Sequence, residues 1–217
     1  IREEYKKRGY QEVITPLIYD KSLWVTSGHW EHFRDKMFTF ESEGKEFSLK
    51  PMNCPSHMLI YKSKSRSYKD LPLRIADFAP LHRNELSGTL AGLTRVRKMS
   101  QDDAHIYVTP EQIEEEIFRV IDFTNYIYKN VFDFEYAVEL GTRPEKYMGN
   151  IEDWNKAEAS LKMALESKSI KYSVKEGEGA FYGPKIDFNI KDALGRSWQL
   201  STIQLDFQLP ERFDATY

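Results

Sequence analysis

The 217-residue sequence holds a single cysteine, Cys54, so no disulfide framework can form within the chain, which fits a reducing compartment. Long apolar runs are missing as well. No stretch reaches the ~20 residues of a membrane span, and Ile1-Arg2-Glu3-Glu4 is too charged for a signal peptide. Positive charge is not in excess either: 31 Lys and Arg stand against 34 Asp and Glu, for a net charge of -3. Composition therefore supplies no general field for nucleic acid, and any attraction for RNA must come from a local patch or another domain. The glycine patterns of P-loops and Rossmann turns are absent, as are internal repeats and low-complexity segments. What is present is an apolar fraction of 41%, enough for the core of one large soluble domain.

Periodicity and punctuation predict the elements. Arg2 to Lys7 reads as the end of a helix stopped at Gly9, and Gln11 to Ile14 as a strand closed by Pro16. Lys45 to Leu49 predicts a short strand leading into Pro51-Met52-Asn53-Cys54-Pro55, with a helix following through Leu59 and Tyr61. Thr109 and Gln112 form a capping box around Pro110 before Ile113, Ile117, Val120 and Ile121 at helical spacing. Phe134, Tyr136, Val138 and Leu140 alternate as a strand, and Asn150 caps a helix carrying Trp154, Ala157, Leu161 and Leu165. Ile186, Phe188 and Ile190 alternate before an Asp192 to Gly195 turn, and Trp198 to Phe207 returns. Strands joined by tight turns predict an α+β fold with an antiparallel sheet. The helix-like start and the plain end at Tyr217 give both termini the look of cuts in a longer protein.

The segment Leu73 to His105 carries the densest chemistry. Leu73, Ile75, Phe78 and Leu81 predict one strand, Val96, Met99, Ile106 and Val108 a second, with a long loop between them holding Gly88 and Gly92. On such strands Arg83 and Glu85 share one face, as do Arg95 and Arg97. Guanidinium forks grip phosphate oxygens, and a carboxylate accepts from an exocyclic amine such as adenine's. A phosphate clamp with a base reader is one reading, and solvated cross-strand Arg–Glu pairs are the other.

H-R-N-E at His82 to Glu85, R-V-R at Arg95 to Arg97 and Q-D-D-A-H at Gln101 to His105 resemble motif 2 of class II aminoacyl-tRNA synthetases, and specifically the threonyl-tRNA synthetase family. Further matches are T-P at Thr15, G-H-W at Gly28, P-M-N-C-P at Pro51, T-R-P-E at Thr142, G-A-F-Y-G-P-K at Gly179 and Q-L-D-F at Gln204. They run in the family's order through nearly the whole chain. The resemblance implies a single catalytic domain over 1–217, with the dimer-forming motif 1 over 1–16 and motif 2 over 73–105. It also implies the class II antiparallel sheet flanked by helices.

The implied activity joins threonine to ATP, with magnesium, as threonyl-adenylate and then charges tRNA(Thr). By resemblance, Arg83 meets the α-phosphate and the amino-acid carboxylate, Glu85 reads adenine, Arg95 meets the γ-phosphate, and Lys185 is a second catalytic cation. Gln199 and Thr202 contact ATP or its ribose. They stand three apart, so a bulge is needed to bring both to one face. Met52, Gln101, Asp103, Tyr182 and Gln204 line the threonine pocket, with Gln101 expected on the same strand face as Asp103.

Cys54 and His105 do not make a metal site by sequence alone, because a lone cysteine is most often a small buried hydrophobe. The resemblance makes them zinc ligands, with a third histidine expected beyond Tyr217. Zinc that binds a side-chain hydroxyl separates threonine from valine, which an apolar pocket of the same shape cannot do. Serine keeps the hydroxyl, so its rejection requires a separate editing activity, for which the chain shows no candidate. Two departures stand out: Met99 occupies the place of an aromatic that stacks on adenine, and motif 3 has no match. The alternatives are a synthetase-like dimerisation or RNA-binding module without catalysis, and a class II synthetase for proline or serine.

Overall fold

The computed structural model describes all residues 1–217, which divide into two compact units: Ile1–Tyr107 with Leu209–Tyr217, and Val108–Gln208. No helix is long and apolar enough to cross a membrane.

In the first unit, α1 (Arg2–Lys7) ends at Arg8, and Gly9 at φ 78° turns the chain into β1 (Gln11–Glu12). The strand is shorter than predicted, although Val13 N–H still donates to Ala76 O at 2.8 Å. The elements β2 (Ile18–Asp20), α2 (Lys21–Thr26) and α3 (His29–His32) follow, then β3 (Thr39–Ser42) and β4 (Lys45–Leu49), which pair antiparallel in the order β2-β4-β3. Residues 17–42 lack a clean period, and the sequence alone did not divide them. Pro55 sits in the first turn of α4 (Cys54–Lys62), where its missing N–H costs nothing.

The predicted two-strand hairpin is four strands in two pairs. β5 (Leu73–Asp77) pairs with β8 (Asp103–Tyr107), and β6 (Pro80–His82) pairs with β7 (Lys98–Ser100), both antiparallel. Pro80 has no N–H for the ladder, and the run breaks just before it. Gln101 N–H bridges the break by donating to Ala79 O at 3.3 Å. β1 lies beside β5 in parallel, so this sheet is mixed. Leu73 and Ile75 pack with Tyr61 and Leu71, while Leu23, Met58, Leu209 and Phe213 form a second apolar cluster.

The second unit begins with the predicted capping box, in which Thr109 N–H donates to Gln112 Oε1 at 3.0 Å. It opens a single 3-10 turn, after which α5 (Ile113–Asn125) runs into a π-helical segment over Tyr126–Val131. β9 (Tyr136–Gly141) leads through α6 (Ile151–Ser167) to β10 (Tyr172–Lys175), which pairs with β9 in parallel. A helical crossover is what a parallel pair requires. Asn150 caps α6 as its sequence predicts, accepting from Asp153 N–H at 2.9 Å. β11 (Lys185–Lys191) and β12 (Ser197–Gln204) complete the sheet in the order β10-β9-β11-β12, with β11 antiparallel to both neighbours. Ile117, Ile121, Leu161, Leu165, Val138, Leu140, Ile186 and Phe188 form its core. Each such aliphatic or aromatic side chain stabilises the fold by about 1.5–3 kcal/mol on burial. The resulting architecture is α+β, with mainly antiparallel sheets, two of which carry one parallel pair each, accompanied by helices.

Candidate functional site

Arg83 and Glu85 follow the end of β6 and do not lie within a strand. Arg83 N–H extends the pairing by one step, donating to Arg97 O at 2.8 Å, and Arg83 Nε reaches Pro51 O at 3.3 Å. The chain then turns, since Glu85 N–H donates back to Arg83 O at 2.8 Å. The alternation that would put both side chains on one strand face therefore does not apply, because the ladder has ended. Arg95 stands in the loop before β7 and donates from Nη2 to Glu85 Oε2 at 2.9 Å, while Arg97 Nε donates to Glu85 O at 3.0 Å. With Arg95 half-exposed, that ion pair contributes only about 0–1 kcal/mol. It holds the two side chains against each other and is weak enough to break at little cost.

Met99, on β7, lies opposite Leu81. Gln101 is not on a strand face with Asp103: it occupies the break between β7 and β8, where its Nε2 stands 4.0 Å from Met99 Sδ. Asp103 opens β8, paired with Asp77, and its Oδ2 accepts from Asn53 Nδ2 at 3.0 Å. His105, two residues on, stands with Nδ1 at 2.8 Å from His57 Nδ1. These two contacts fasten the first turn of α4 to β8, and Cys54 lies between them in the chain.

Behind them is a buried polar cluster absent from the sequence reading. Asp77 Oδ2 accepts from Thr15 Oγ1 at 2.8 Å and from Lys50 Nζ at 3.4 Å, and lies 3.8 Å from His57 Nε2. This assigns a structural purpose to the Thr15 of the T-P pair. Burial pulls the Lys50 ammonium below the ordinary lysine value, with the Asp77 carboxylate acting in the opposite sense. Burial, followed by the neighbouring His105 and Lys50, also holds His57 far below the usual histidine value, so its ring is neutral.

No group of three or more His, Cys, Asp or Glu side chains is arranged to hold a metal ion, so Cys54 and His105 are the donors to test. A thiol with an imidazole suits zinc. The Asp77 carboxylate favours the His57 proton on Nε2, an atom buried without another partner. His57 Nδ1 then accepts from His105 Nδ1–H, and His105 Nε2 keeps the lone pair that a metal takes. On this chemistry the pair fits zinc. Met52, two residues before Cys54, stands with Sδ at 3.2 Å from His29 Nε2. His29 is fully buried, bonded through Nδ1 to Ser27 Oγ at 2.9 Å, and burial lowers its pKa to about 4.

The second unit carries the remaining candidates. Tyr182 is buried and donates its hydroxyl to Gln204 Oε1, opposite Lys185 in the β11–β12 register. Gly179 and Gly183 of G-A-F-Y-G-P-K are required by close approach: a Cβ would lie 2.6 Å from Thr142 O at the first and 2.1 Å from Leu205 O at the second. The bulge demanded by the spacing of Gln199 and Thr202 is present. Asp187 pairs with Thr202, Phe188 with Ser201 and Asn189 with Gln199, leaving Leu200 as the extra residue. Gln199 Nε2 and Thr202 Oγ1 both donate to Asp187 Oδ1, at 2.7 and 2.8 Å, and Lys185 Nζ meets Asp187 Oδ2 at 2.7 Å. Asp187 was missed in the sequence, although its place two residues after Lys185 on an alternating strand put the two on one face.

A family model of the tRNA synthetase class II core domain (G, H, P, S and T) matches residues 38–217. The chain belongs to the class II tRNA synthetases. It is 56% identical over 216 residues to a threonine–tRNA ligase of Caldanaerobacter subterraneus subsp. tengcongensis, covering 100% of the chain and 33% of that protein. To a cytoplasmic threonine–tRNA ligase of Saccharomyces cerevisiae it is 57% identical over 217 residues, with 100% and 29% covered. The crystal structure of the RNA binding domain of threonyl-tRNA synthetase from Cryptosporidium parvum superimposes with a TM-score of 0.95 at 52% identity, covering 98% of this chain and 53% of that one. The chain thus spans about a third of the length of these curated relatives.

Proposed function

We propose that the protein to which this chain belongs is a cytoplasmic threonine–tRNA ligase, acting on threonine, ATP with magnesium, and tRNA(Thr). The observation that carries the reading is the similarity to threonine–tRNA ligases along the whole chain, 56% identical over 216 residues. In the adenylation step a threonine carboxylate oxygen attacks the α-phosphorus and pyrophosphate leaves. A tRNA ribose hydroxyl then attacks the carbonyl carbon and AMP leaves.

Arg83 neutralises the α-phosphate and the attacking carboxylate, and Lys185 supplies a second positive charge, because charge held in place before reaction lowers the barrier most. Arg95 exchanges its weak Glu85 pair for the γ-phosphate, which frees Glu85 to accept from the adenine amine. Met99 packs on the base, and Gln199 and Thr202 bind the ribose. Met52, Gln101, Asp103, Tyr182 and Gln204 hold threonine, with Asp103 accepting from its hydroxyl. Cys54 and His105 would hold zinc, which when bound supplies a Lewis acid for the amino and hydroxyl groups of threonine. Residues 1–16 form part of a homodimer contact; the 90% exposure of Ile14 supports this.

Threonine-dependent exchange of pyrophosphate into ATP by the full-length protein tests the reading. Exchange with threonine well above that with valine, proline or serine is expected. No exchange with threonine, or a stronger signal with proline or serine, would overturn it.

A further inference from the structure

We infer that Asp187 is a positioning residue that turns Gln199 and Thr202 into hydrogen-bond acceptors for the ribose hydroxyls of ATP and separately holds Lys185 in place. This inference deepens the adenylation reading and rests on it.

The argument is one of donor and acceptor counting. The Asp187 side chain is nearly buried, and a carboxylate only accepts. An amide facing it must present its NH2, so the orientation of Gln199 follows from chemistry. One Nε2 hydrogen goes to Asp187 Oδ1 at 2.7 Å and the other to Thr202 Oγ1 at 2.7 Å, so both donors are used and Gln199 Oε1 remains. The Thr202 hydroxyl spends its hydrogen on Asp187 Oδ1 at 2.8 Å and one lone pair on Gln199, so it too has only an acceptor left. Two fixed acceptors repel phosphate oxygens and suit a ligand O–H. Lys185 uses one of its three N–H bonds on Asp187 Oδ2 at 2.7 Å and keeps two for an anionic ligand. One carboxylate thereby separates a hydroxyl-reading pair from an anion-reading cation. The bulge at Leu200 makes this possible by bringing residues three apart to the same carboxylate oxygen.

The test uses pyrophosphate exchange by the full-length protein with ATP, 2′-deoxy-ATP and 3′-deoxy-ATP. Wild type should prefer ATP over at least one deoxy analogue by about tenfold or more, since a site built for a hydroxyl rejects its absence. Asp187→Ala should lose most of that preference and raise KM for ATP. Asp187→Asn retains an acceptor for Gln199 and Thr202 but turns an NH2 toward Lys185. It should lower kcat about tenfold and keep the preference, a split that loss of fold alone does not produce. Melting curves monitor folding, and Asp187→Asn carries the test if Asp187→Ala does not fold. An unchanged preference in folded Asp187→Ala, or unchanged kcat in Asp187→Asn, would overturn the inference. If wild type shows no exchange, the functional reading fails and a crystal structure of Asp187→Asn decides the positioning role. Displacement of Lys185 with Gln199 and Thr202 held in place supports it, and an undisturbed Lys185 refutes it.

Discussion

His29 offers a measurable link between burial and pH. Its ring is enclosed by Trp24 at 5.9 Å and Phe33 at 6.4 Å, with Met52 Sδ at 3.2 Å, and burial is the main reason its pKa falls from 6.5 to about 4. The bond to Ser27 opposes the fall, and the nearby His32 and Arg212 add to it more weakly. Below pH 6.5 the unfolded chain therefore takes up a proton that the folded chain refuses. Stability is full above that pH and is lost as the pH drops toward 4, by about 2 kcal/mol at pH 5 and about 3 kcal/mol at the limit. Urea unfolding at pH 7 and pH 5 measures this, with His29→Gln as the comparison, because an amide cannot titrate. The native protein should lose about 2 kcal/mol more than the variant between the two pH values. Equal losses in both proteins would show that His29 is not held neutral by its surroundings.

Three further outcomes follow from the same geometry. Arg83→Ala should slow threonine-dependent exchange by about 2–4 kcal/mol of transition-state stabilisation, judged from the removal of one oxyanion donor; an unaltered melting temperature with normal exchange would remove Arg83 from its role. Cys54→Ala in the full-length protein should abolish stoichiometric zinc by elemental analysis, and tight zinc retained by the variant would show the ligand assignment to be wrong. Gly183→Ala should destabilise the second unit by about 1–3 kcal/mol, because the added methyl meets the Leu205 carbonyl oxygen and that backbone must move; thermal melting indistinguishable from the parent would contradict this.

By itself the sequence determined the elements with a strong period or a side-chain cap. Lys45–Leu49 was predicted to the residue, the Thr109 and Asn150 caps stand where they were read, and the apolar face of α6 is the one that is buried. These are local effects, decided within a few residues along the chain. The spacing of Gln199 and Thr202 even called for the bulge that is present, since a two-residue repeat cannot otherwise bring both to one face. The motif residues were legible only by resemblance, because arginine, glutamate and cysteine have no period of their own.

Tertiary structure decided the rest. Whether Leu73 to Tyr107 makes one pair of long strands or two pairs of short ones depends on where the ladder loses a donor, at Pro80, and on the partners waiting across the gap. The pairing of Asp187 with Gln199 and Thr202 was equally hidden, as was the cluster of Lys50, Asp77, Thr15, His57 and His105. Its members lie up to 90 positions apart in the chain. A buried charge persists only where others surround it, and those partners are supplied by the packing of distant strands.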